Sequence, residues 1–303
     1  TAIGYAALKL NTATGNTAVG TECLDANTTG SGVVAVGYRA LGANTTANNN
    51  TAVGTDSMIS NTTGTENVAL GTYSLYTNTT GNHNTALGSR ALFTNAADHN
   101  TAIGRNALYY CTTGTQNVSI GNYSLEDTTT GGYNTAMGYQ ALQEATTGAY
   151  NTAVGHNTMG DGVTTGNWNT AMGHNALKSI STGYSNTAIG QASGDAITTG
   201  YTNIAIGVEA LGACSTGSDN IAIGVEALDA LTGASHNTAI GRSALGANTT
   251  GTQQVAIGNY VLDANTTGAY NTACGYSALG ANTTGNNNTA FGHSTLTVNT
   301  TGT

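Results

Sequence analysis

One short motif, T-A-V/I-G or a close variant, returns along this chain at nearly constant spacing and leaves no stretch outside its rhythm. It begins at Thr1, Thr17, Val34, Thr51 and Val68 and continues in the same way to Thr289, giving about 18 copies. Most intervals are 17 residues, with a few of 16 and one of 18. The consensus is T-A-V-G-x-x-A-L-x-x-N-T-T-G-x-x-N, and positions below are numbered from its Thr. A period this short, repeated this often, dictates the architecture before any other reading.

Position 1 (Thr, Val or Ile) and position 3 (Val, Ile, Leu, Met, and once each Phe291 and Cys274) flank an Ala at position 2, which Ser119 alone replaces. β-branched residues at period 2 predict a short strand with positions 1 and 3 turned into the core. The uniform Ala suggests close packing on the opposite face too. Position 4 is always Gly, as a sharp bend or close backbone approach requires. Position 8 is Leu or Met except at Gly194 and supplies a second apolar anchor. N-T-T-G reads as a turn.

Helix-pair repeats run longer, and Gly, Thr and Asn are poor helix formers. The expected fold is therefore all-β, a parallel β-solenoid or β-roll of about 18 repeats of about 17 residues. Stacking at about 4.8 Å would give an elongated rod on the order of 85 Å. The array should be continuous over residues 1–303, without separate domains or evident caps. So few large apolar groups per repeat leave two solutions, very narrow coils or association of several chains through the Ala and Gly face, and the second is preferred.

Composition narrows the function. Charged residues make up 7%, and only six Lys and Arg stand against 15 Asp and Glu. Nucleic acid needs clustered cations, as does an anionic membrane surface. No apolar run approaches the roughly 20 residues of a spanning helix. Neither partner is expected. The chain starts and stops within the repeat, which reads as a processed product or a piece of something longer. Cys23, Cys111, Cys214 and Cys274 lie far apart and read as small substitutes, not disulfide partners or metal ligands. No cofactor is implied. No Ser/His/Asp set and no phosphate loop stands out from the repeat, so catalysis is not expected.

The unit N-T-A-V/I-G-x-x-A-L-x-x-N-T-T-G, as at 50–64, resembles repeats of bacteriophage tail fibres. The stretches Asn203-Ile204-Ala205-Ile206-Gly207 and Asn220-Ile221-Ala222-Ile223-Gly224 are similar to those of trimeric autotransporter adhesin heads. The resemblance covers the whole chain. It implies parallel β-rolls, homo-oligomeric and often trimeric, on a virion or cell surface, with reach and display as their task. End-to-end assembly into a filament is a further way for copies to associate.

Some residues invite sharper readings. Tyr133, Tyr150, Trp168, Tyr184 and Tyr201 recur at position 15 or 16, and Tyr270 repeats the pattern. In stacked coils they would form one exposed row able to stack on surface glycans, or they would simply shield a turn. Asn-x-Thr sequons recur at Asn27, Asn44, Asn61, Asn78, Asn248, Asn265, Asn282 and Asn299. They are glycosylation acceptors if exposed, or only the turn sequence itself. Repeated Thr raises ice binding, although the pairs are adjacent and in turns. His156 and His174 share one position and make a poor metal site without a carboxylate. Glu209 and Glu226 share another, where solvent exposure or a bound cation would relieve their repulsion.

Overall fold

A computed structural model describes residues 1–302, which fall into two compact units, residues 1–151 and residues 152–302. The boundary falls between one repeat and the next. Each unit is a parallel β-solenoid with about 17 residues per turn, and no helix occurs among the described residues.

The first unit carries β1 (Ala2–Ile3), β2 (Thr17–Val19), β3 (Val34–Val36), β4 (Thr51–Val53), β5 (Val68–Leu70), β6 (Thr85–Leu87), β7 (Thr101–Ile103), β8 (Val118–Ile120) and β9 (Thr135–Met137). The second carries β10 (Thr152–Val154), β11 (Thr170–Met172), β12 (Thr187–Ile189), β13 (Ile204–Ile206), β14 (Ile221–Ile223), β15 (Thr238–Ile240), β16 (Val255–Ile257), β17 (Thr272–Cys274) and β18 (Thr289–Phe291). Within a unit each strand pairs with the next in perfect repeat register. Thr51 stands opposite Val68, Ala52 opposite Ala69, and Val53 opposite Leu70.

Three residues make a short strand, but the hydrogen bonding does not stop where the strand does. The N–H of Asp56 donates back to Tyr38 O at 2.9 Å, whereas that of Met58 donates forward to Ser74 O at 2.9 Å. Thr62 N–H reaches Thr79 O at 2.9 Å. The coil is thus bonded to its neighbours around most of its circumference.

This pattern requires left-handed backbone at positions 6 and 8, as at Asp56 (φ 53°) and Met58 (φ 51°). Such φ values are least tolerable for β-branched residues. Apart from Gly194, position 8 is accordingly Leu or Met and never Val or Ile, whereas position 3 takes Val and Ile as well. At Gly194 (φ 57°) the leucine is missing, and a Cβ there would lie 2.9 Å from Ile197 Cδ1. Ile197, buried, has taken that volume. The position 4 glycine is doubly fixed. Gly20 has φ +141°, and a Cβ on it would sit 2.4 Å from Gly37 O in the adjacent coil.

The strand faces run opposite to the expectation from periodicity. Ala18, Ala35, Ala52, Ala69 and their equivalents are fully buried. Positions 1 and 3 point outward, with Val34 37%, Leu70 48% and Met172 49% exposed. The lumen is too narrow for a branched side chain on the strand, so only Ala, or the equally small Ser119, sits inside. Association through the Ala face is therefore excluded, because each coil covers that face itself. The coils are narrow.

The interior is completed by position 7 (mostly Ala or Ser, with Cys23, Thr158 and Val261 also buried), the position 8 leucines, and two columns of asparagine. At position 17, Asn50 Nδ2 donates to Gly64 O at 2.7 Å, and its Oδ1 accepts the Asn67 N–H at 2.9 Å. At position 11, Asn61 Nδ2 donates to Asn44 Oδ1 at 3.2 Å and to Gly64 O at 3.0 Å. Buried amides satisfied in this way avoid the penalty of dry polar groups. In the middle repeats the position 11 column is interrupted by apolar residues, with Cys111, Ile180, Ile197, Cys214 and Leu231 all buried, and it returns to Asn at Asn248, Asn265 and Asn282.

Candidate functional site

The aromatic residues singled out from the sequence do not form one row. Tyr133 (φ 61°), Tyr150 (φ 59°) and Trp168 (φ 58°) occupy the left-handed corner at position 16. Tyr184 and Tyr201 sit one residue earlier, ahead of the corner residues Ser185 and Thr202. In the first unit Tyr133 and Tyr150 stack with centroids 4.8 Å apart and planes 9° apart. In the second, Tyr184 and Tyr201 stack at 5.0 Å and 1°. Trp168 is not in line with them, since Ser185 N–H bonds to Asn167 O. The coil spacing matches offset ring stacking, so each stack covers one face of each ring. The rings are 39–59% exposed.

The sequon asparagines are interior. Asn27, Asn44, Asn61, Asn78, Asn248, Asn265 and Asn282 are fully buried. Each donates its Nδ2 to the Gly or Ala carbonyl three residues on, as Asn78 does to Gly81 O at 3.1 Å. The folded chain therefore does not offer these seven as glycan acceptors, which corrects that reading. Asn299, half-buried, donates to Asn288 Oδ1 at 3.2 Å. The first Thr of several turns is also committed, to a carbonyl of the next coil. Thr62 Oγ1 donates to Thr79 O and Thr266 Oγ1 to Thr283 O, at 3.0 and 3.1 Å.

His156 and His174 stack at 5.2 Å. Among the described residues no group of three or more His, Cys, Asp or Glu is arranged to hold a metal ion. Glu209 is exposed, and Glu226 accepts a hydrogen bond from Ser243 Oγ at 3.1 Å. Next to them, burial and then the charges of Glu209, Glu226 and Asp195 push the Asp229 carboxyl above its ordinary range. The four thiols are free. Burial raises Cys23 and Cys214 to about 11 and Cys111 to about 12, leaving them protonated and inert.

Two features escaped the sequence reading. The first is the outward strand face, where positions 1 and 3 carry only Thr and apolar side chains and no charge in any repeat. The second is a groove in the first unit. Tyr76, Phe93 and Tyr109 share position 9 in three successive coils and form a continuous stack, with centroid spacings of 4.9 Å and planes 1° and 4° apart. Tyr73 meets Tyr76 edge-on at one end, and Tyr110 meets Tyr109 at the other. With Arg90, four of these rings line a cavity of about 360 Å³. The signal was available as three aromatics at one position of adjacent repeats. No family model, curated protein or solved structure matches this chain.

Proposed function

We propose that this chain is a structural segment of an extracellular fibre, tail-fibre-like or adhesin-like, on a virion or cell surface. Its copies would pack side by side through the outward strand face, giving stiff reach and display. The observation that carries this reading is the uncharged outward face, apolar at position 3 in every repeat. Val34, Leu70, Ile103 and Met137 in the first unit, and Met172, Ile189, Ile240 and Ile257 in the second, are each more than a third exposed. Exposed apolar surface of that continuity is uncommon on a chain that acts alone. A second copy is the partner that fits, because it presents the same rows at the same coil spacing and equally lacks charge there.

Stiffness follows from the same construction. Within each unit the coils are hydrogen-bonded to one another through strand, turn and side-chain ladders, so bending strains all three. Sedimentation velocity tests the proposal. The parent chain should sediment as a discrete oligomer at micromolar concentration. Replacing Leu70, Ile103 and Met137 with Thr should yield monomer with an unchanged circular dichroism spectrum. A parent that is monomeric under those conditions would rule the proposal out.

A further inference from the structure

We infer that the groove at positions 6 and 9 of the first unit binds an acidic sugar residue, a hexuronate, through Arg90 and the rim of the Tyr76–Phe93–Tyr109 stack. The groove is separate from the outward strand face, so its occupancy does not depend on how copies associate.

The argument begins with Phe93. Tyr76 covers one of its faces and Tyr109 the other, both nearly parallel at 4.9 Å. Only its edge is left to line the cavity. An aromatic ring is electropositive at its edge, so a stack bordering a groove edge-on favours an anionic visitor over a cationic one. Arg90 adds a full positive charge to the same lining.

That guanidinium is uncommitted. Arg39, at the equivalent position three coils earlier, is held by Asp56 through a bidentate pair at 2.8 and 3.0 Å. Arg90 makes no ion pair among the described residues, and its side chain is exposed. Arg105 and Arg242 likewise make no ion pair among the described residues, but Arg90 is the one that lines this cavity. The planar fork of Arg90 is suited to a carboxylate.

The body of the ligand follows from the remaining groups. Tyr73, Tyr76 and Tyr109, each carrying a phenolic hydroxyl, are among the lining residues. Hydroxyls that both donate and accept, with apolar ring edges between them, match a polyhydroxylated ring better than a hydrocarbon. The volume lies at the lower end of the roughly 300–1,000 Å³ of small-ligand sites. A carboxylate on a pyranose combines these requirements.

Calorimetric titration of the whole chain with trigalacturonate, beside its fully methyl-esterified form, tests the site. Saturable binding of the acid is expected. Esterification and Arg90→Ala should each weaken it by at least about tenfold, as loss of a charge-assisted pair does. Arg90→Lys should recover only part of it, and the melting temperature should be the same in all three proteins. Absence of binding by the parent, equal binding of acid and ester, or equal binding by Arg90→Ala would each overturn the assignment.

Discussion

Asn50 accepts the backbone N–H of Asn67, one coil further on, at 2.9 Å, while its own amide nitrogen donates to Gly64 O in that same next coil at 2.7 Å. One side chain thus ties a strand approach and a turn of the following repeat together. The relation recurs at Asn67, Asn84 and Asn100 in the first unit and at Asn186 and Asn203 in the second. Much of the fold's specificity rests on this buried polar column and not on apolar bulk.

The two kinds of apolar position should respond oppositely to charge. Leu92 is fully buried, whereas Val53 is partly exposed on the outward face. Leu92→Asp should therefore unfold the first unit or lower its stability by several kcal/mol. Val53→Asp should leave the circular dichroism spectrum intact and change stability by less than about 1 kcal/mol. Equal loss in both variants would show that the faces have been assigned wrongly.

Within the position 11 column, Asn61 donates to Asn44 and accepts from Asn78. Asn61→Leu strands both neighbours and should cost about 2–4 kcal/mol in chemical denaturation, since two buried polar groups lose partners at once. Where the column is already apolar, at Leu231, the same side chain is at home. A cost for Asn61→Leu below that of an ordinary surface change would remove the column from the list of stabilising features.

Gln254 stands where the position 17 column otherwise calls for Asn, and its Nε2 is buried without a partner. Asn is one methylene shorter and would reach the turn carbonyl as Asn271 does with Gly285 O at 2.8 Å. Gln254→Asn should raise stability by about 1 kcal/mol. A lower melting temperature would contradict this account.

Thiol chemistry should separate the cysteines by burial. Cys23, Cys111 and Cys214 are buried, with their thiols pushed up to about 11, 12 and 11. They should resist a thiolate-selective reagent at pH 8 until denaturant is added. Cys274 is half-buried on the outward strand face and should react first. Mapping the labelled residue by mass spectrometry decides the matter.

The raised Asp229 carboxyl gives a pH signature. Its folded form holds a proton to higher pH than the unfolded chain does, so its contribution opposes folding near neutrality and that opposition fades as pH falls. Asp229→Asn should raise the melting temperature at pH 7, with the gain shrinking towards acid pH. A gain that grows on acidification would reverse the sign of the argument.

The repeat made much of this visible without coordinates. Strand position, the fixed glycine, the turn at N-T-T-G and the coil length all follow from residue types at constant spacing. The direction of the strand did not. Period-2 alternation between Ala52 and Val53 says that the two faces differ, and the larger apolar residue is ordinarily the inner one. Here the cross-section of the coil decides instead, and at the inward strand position it admits only a side chain as small as that of Ala or Ser119. The asparagines misled for a related reason, because a sequon says nothing about which way Asn61 turns. The groove at Tyr76, Phe93 and Tyr109 lay in the variable positions, where the consensus averages away what three neighbouring copies share.

The irregular coils have a consequence of their own. Repeat 85–100 is one residue short and repeat 152–169 one residue long, yet Thr85 still faces Thr101 and Thr152 still faces Thr170. Changes in length are absorbed beyond the leucine and do not reach the strand ladder. That stretch is a tolerant graft point, where a foreign peptide loop can be displayed on a chosen coil while its neighbours keep their alignment.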